Sequence, residues 1–134
     1  MIINYDFEIG SYVSERNYCL LHTLFKNPLS KTQLEAPVLV SQYIEGSLAL
    51  AKWYGSSHCT LLQELYLKRV FNELLNKIAD PLVHESIRKQ CFEQLYKPLL
   101  ALKRFYKQQQ ADKQKYLALE LEARVLCREF NPFL

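Results

Sequence analysis

Cys19 and His22 stand three residues apart, and His58 is followed directly by Cys59. Thiolates and imidazoles are the ligands of tetrahedral zinc, so these four side chains form a Cys2His2 set if the fold brings them together. Structural zinc sites use closely paired ligand spacings, which this chain lacks. The plainer expectation is separate thiols and histidines, with no metal and no cofactor. His84-Glu85 begins like the helix motif of zinc proteases, but Arg88 occupies the place of the second histidine, so the ligand pair is not made. No Gly-x-Ser-x-Gly elbow, phosphate-binding loop or dinucleotide fingerprint occurs, and no glycine follows Gly55. Loops that cradle phosphates need glycine, which makes the second half of the chain poor ground for nucleotide chemistry. Glu64 and Glu73 fall on outer faces of their expected helix and read as solvated charges. No residue is assigned a catalytic role, and the expectation is a protein that is not an enzyme.

Two other sets of residues suit binding. Lys97, Lys103, Arg104, Lys107, Lys113 and Lys115 are interleaved with Tyr106 and Tyr116, a pattern able to track a phosphate backbone. Net charge is only +3, but residues 97–134 carry 8 basic and 4 acidic side chains against 9 and 10 in residues 1–96. The core of this basic face is Lys103, Arg104, Lys107, Lys113 and Lys115. The second set is apolar. Ile3, Tyr5, Phe7 and Ile9 alternate with polar residues in the period of a half-buried strand. Leu119, Ala123, Leu126 and Phe130 recur at helical spacing near the other end of the chain.

The elements that must position these residues are nearly all helical. Gly10-Ser11 closes the alternating segment, leaving a strand without an evident partner or an extended arm over residues 1–12. Ser14 is a fitting N-cap for a helix over 15–26, which Asn27-Pro28 stops. Pro37 opens a second helix to Tyr54, with Val40, Tyr43, Ile44, Ser47 and Ala51 on one side and Gly55 as its left-handed cap. Thr60 with Gln63 matches a capping box for a third helix to about Ala79, whose stripe of Leu67, Val70, Phe71, Leu74, Leu75 and Ile78 is the clearest in the chain. Asp80-Pro81 predicts the start of a fourth helix, and Pro98 marks a kink or a new start. From Leu99 to Phe130 neither glycine nor proline intervenes, so one continuous last helix over 98–130 is expected, about 48 Å long at the usual rise per residue, the alternative being a break around Gln109 to Asp112 with the distal part folding back. A domain of this size is about 36 Å across. Such a helix projects beyond its own bundle, and its distal stripe needs a partner.

The whole reads as an all-α single domain over 1–134: an arm (1–12), a helical core (14–97) and the long C-terminal helix, about five helices in all. A hydrophobic share of 49% over 134 residues is enough for one core. Four widely spaced cysteines and the lack of a signal peptide or of a bilayer-length apolar run predict reduced thiols and a cytoplasmic protein, or one exported without a classical signal. The expected function is helix-mediated binding of another protein or self-association, as an adaptor, secretion chaperone, regulator or small effector. The alternative is nucleic-acid binding through the basic face.

Overall fold

The structure is a computed structural model and describes residues 36–133. The alternating segment with Ile3, Tyr5, Phe7 and Ile9, the helix expected over 15–26, and Cys19 and His22 lie outside the described residues. Five α-helices follow in order: α1 (Ala36–Ser56), α2 (Thr60–Ala79), α3 (Glu85–Gln94), α4 (Tyr96–Gln108) and α5 (Lys113–Glu129). No strand occurs among the described residues. The all-α bundle expected from the helical periodicities is the fold observed.

The apolar stripe of α2 explains the arrangement. All six of its predicted residues are buried, each stabilising the fold by about 1.5–3 kcal/mol relative to an exposed side chain. Around it α2 touches α1, α3, α4 and α5. α1 supplies Val40, Tyr43, Ile44, Leu50 and Ala51 to the same core. Its buried Ser47 is satisfied within the helix, the hydroxyl donating to the Tyr43 carbonyl at 2.8 Å. A seam of aromatics closes the side of the α1–α2 pair: Tyr54 stacks on Tyr66 with centroids 5.4 Å apart, and Trp53 meets Tyr54 edge-on at 5.2 Å.

The helix ends differ from their sequence signals in an instructive way. Gly55 is not a left-handed cap; α1 runs past it, and His58 takes positive φ (62°) instead. The amide of His58 donates to the Gly55 carbonyl and that of Cys59 to the Tyr54 carbonyl, the paired bonds of a Schellman ending. Gly55 serves a different need. A Cβ there would lie 2.7 Å from the Gln63 side-chain amide, so the missing side chain makes room for Gln63. Cys59, rather than Thr60, is the N-cap of α2, without a side-chain hydrogen bond. The capping box is not formed because Thr60 already lies in the helix.

The helix expected from Asp80-Pro81 starts later. Asp80 accepts the Leu82 amide through Oδ1 at 2.9 Å, which holds 80–83 in a turn. His84 then caps α3, its Nδ1 accepting from the Ser86 amide at 3.1 Å. The guanidinium of Arg88 reaches back, donating from Nε and Nη2 to the Ile78 carbonyl, each at 3.1 Å. It thereby satisfies a terminal acceptor of α2 with a cation. At Pro98 the new-start alternative holds: Pro98 is the third residue of α4, and Leu95 separates α4 from α3.

The continuous helix over 98–130 is not observed. The chain turns at residues 109–112, and α5 folds back along α4. Gln110 carries positive φ (54°), the Gln110 amide bonds the Lys107 carbonyl, and that of Ala111 bonds the Tyr106 carbonyl. This is a second Schellman ending, again built without glycine. Asp112 then caps α5, its side chain accepting the Gln114 amide at 3.0 Å. The last helix therefore does not project. Its end returns to the α2–α3 corner, where Phe133 meets Phe92 edge-on at 5.6 Å.

Candidate interaction surface

The turn at 109–112 gathers residues that lie far apart on a straight helix. A cleft of about 610 Å³ opens between α4 and α5, and Lys103, Lys107 and Lys113 all line it. Lys115 stands beside it with Nζ 6.0 Å from the Tyr106 ring centroid, and the Lys103 ammonium lies 5.7 Å from that of Tyr116. Arg104 is exposed on α4 but does not line the cleft. Of the five residues at the core of the predicted basic face, four lysines are brought together and Arg104 is left outside, as is Lys97, which donates to Gln94 Oε1.

The cleft floor is Tyr106, only 5% exposed. Its hydroxyl donates to Glu64 Oε2 at 2.6 Å, tying the end of α4 to the start of α2. Burial, and then the hydrogen bond and charge of Glu64, push the Tyr106 phenol well above its usual range. Burial and the nearby Glu120 push that of Tyr116 up as well. The cleft's own acids are engaged locally: Asp112 as the cap of α5, and Glu120 with Arg124 at 2.9 Å.

α5 is apolar on two sides. Ala123 is buried, and Leu119 and Leu126 pack half-buried on the core. The stripe expected to seek a partner is thus largely covered by the chain's own bundle, and only its last member, Phe130, is exposed. A second row, outside the expected stripe, is exposed instead: Leu117, Leu121 and Val125 are 49%, 57% and 52% exposed. The i, i+4, i+8 spacing sets them on one face. That spacing is legible in the chain; which of two apolar rows faces inward depends on where the helix turns back.

The other chemistry-bearing residues are placed as structure. His58 and Cys59 are both exposed at the α1–α2 turn, and their two proposed companions lie outside the described residues. Among the described residues no group of three or more His, Cys, Asp or Glu could hold a metal ion. In the His84-Glu85-Arg88 trio, His84 caps α3 and Arg88 holds the Ile78 carbonyl. Glu85 is bonded to Lys89 at 3.0 Å, and that ammonium keeps its carboxyl below the usual range. Glu64, read as a solvated charge, is instead the acceptor for Tyr106. Cys59, Cys91 and Cys127 are free thiols. Cys91 is buried in the core, and burial pushes its thiol far up and that of Cys127 up as well. Among the described residues no helix is long and apolar enough to cross a membrane. No protein-family model, curated protein or solved structure matches the chain.

Proposed function

We propose that this chain is a protein-interaction module of the adaptor, chaperone, regulator or effector kind, working without catalysis and binding through its last helix. One observation carries the reading: α5 holds an inward row on its own core and a second row, Leu117, Leu121 and Val125, in solvent. Leucines and valines at this spacing on an outer face are the pattern by which one helix lies on another. The test replaces Leu121 by Asp, at a site exposed enough to leave the melting temperature unchanged. Tagged full-length chain is recovered from its native cell, and the proteins that accompany it are quantified. Loss of about tenfold or more in a specific companion is the expected result; full retention overturns the reading.

A second reading is favoured by the convergence of Lys103, Lys107 and Lys113 on one cleft: a site for nucleic acid. A gel shift that weakens steeply with salt, and disappears on replacing Lys103, Arg104 and Lys107, is its signature. The absence of any shift at low salt removes it.

A further inference from the structure

We infer that the α4–α5 hairpin docks an acidic amphipathic helix of a partner protein. The partner's carboxylates sit over Lys103, Lys107 and Lys113, and its apolar row lies along Leu117, Leu121 and Val125. The inference rests on the interaction-module reading and supplies the chemistry of the partner.

The first support is charge. Three lysines line the cleft against two carboxylates, and each carboxylate already has a partner within the chain, Asp112 the Gln114 amide and Glu120 the Arg124 guanidinium. Neither the Lys89–Glu85 nor the Arg124–Glu120 ion pair involves any of the three lysines. The cleft lining thus keeps a net positive charge of +1, to which Lys115 beside it adds a fourth ammonium.

Continuity is the second. Leu117 both lines the cleft and begins the outward row. A single ligand reaching the lysines therefore touches a leucine at once. From Leu117 to Val125 the row runs about 12 Å, a little over two helical turns. A helix of about five turns spans the row and overhangs the cleft. The complementary segment has leucine-like residues at i, i+4 and i+8 and glutamates or aspartates clustered at one end.

The third observation decides between classes of anion. Single-stranded nucleic acid is held by bases stacking on open aromatic faces between the phosphate contacts. Here Tyr106 is buried and Tyr116 half-buried, so neither ring is fully open to a stacking base. The Lys103 ammonium lies over Tyr116 and that of Lys115 over Tyr106, which is also buried. An exposed aliphatic row suits a phosphate backbone poorly and a protein helix well.

The test titrates isotope-labelled full-length chain, read by two-dimensional NMR, with three probes. One is a helical peptide of about five turns with the leucine spacing above and a glutamate block at one end. Another carries lysines in place of that block, and the third is single-stranded oligo-dT. The acidic peptide is expected to shift amides in 103–125 and to bind about tenfold tighter than its lysine counterpart. Lys103→Glu with Lys107→Glu, both at exposed sites, is expected to reverse that preference while leaving the melting temperature in place. Equal binding of the two peptides, no binding of the acidic one, or its displacement by oligo-dT overturns the inference. A dimer of the free chain that Leu121→Asp dissociates, or a cross-link from position 121 to residues 1–35 of the same chain, also overturns it by giving the row another occupant. If the peptides fail while Leu121→Asp still abolishes capture of a protein companion, the interaction-module reading stands without this partner chemistry. If both fail, both are removed.

Discussion

Tyr106 joins three helices through one side chain: it sits on α4, bonds Glu64 of α2 and lies under Lys115 of α5. Hydrogen bonds to charged groups stabilise by about 1.5–3 kcal/mol, and a half-buried carboxylate that water can re-solvate places this one at the lower end. Tyr106→Phe is therefore expected to cost about 1.5 kcal/mol in urea unfolding at neutral pH. The pH dependence follows from the direction of the phenol's shift. Its folded pKa is raised above the unfolded value, so the folded state keeps a proton that the unfolded chain loses first. The contribution is complete below pH of about 10, the unfolded tyrosine value, and is lost as pH climbs toward the folded one. The stability gap between wild type and Tyr106→Phe should accordingly narrow above that pH. A gap that is constant across the alkaline range contradicts the account. Cys91 acts in the same direction: its buried thiol is also raised, so its share of stability begins to fall above about pH 8.5.

Both Schellman endings place a residue with a side chain where glycine is the usual choice, His58 after α1 and Gln110 after α4. Left-handed backbone costs a residue with a Cβ about 1 kcal/mol relative to glycine, less the extra entropy that glycine loses on folding. Gln110→Gly is expected to stabilise the chain by about 0.5 kcal/mol, and Gln110→Val to destabilise it by about 1 kcal/mol or more, measured as shifts in the urea midpoint. The same geometry explains what reading the sequence recovered. The stripe of α2 and the inward residues of α1 were legible because burial repeats with the helical period. The turn at 109–112 was legible only as the alternative to a continuous helix, since Gln110 carries no local mark of positive φ and the run KQQQAD has no glycine or proline to force a break. Two quieter signs were present: Asp112 is a good N-cap, and no large apolar residue occurs from Lys107 to Lys115 to hold a straight helix against anything. At the candidate surface the lysines were legible as a basic set. Their convergence, and the exchange of inner for outer apolar rows on α5, depended on that turn.

Across the molecule the burial is uneven. α2 contacts every other described helix and buries six large side chains, whereas α5 buries Ala123 alone. Local opening follows the density of such contacts. Amide hydrogen exchange should find the slowest protons between Leu67 and Ile78 and the fastest helical ones in α5, with the α4 amides between. Uniform protection along α2 and α5 is the contrary result. The Glu64–Tyr106 bond adds a consequence for how the parts move. It anchors α4 at the very point where the chain turns into α5, so fraying of the last helix stops at that anchor. Opening of α5 is thus expected to leave the four helices behind it packed, so that the last helix and the rest of the bundle open as separate steps.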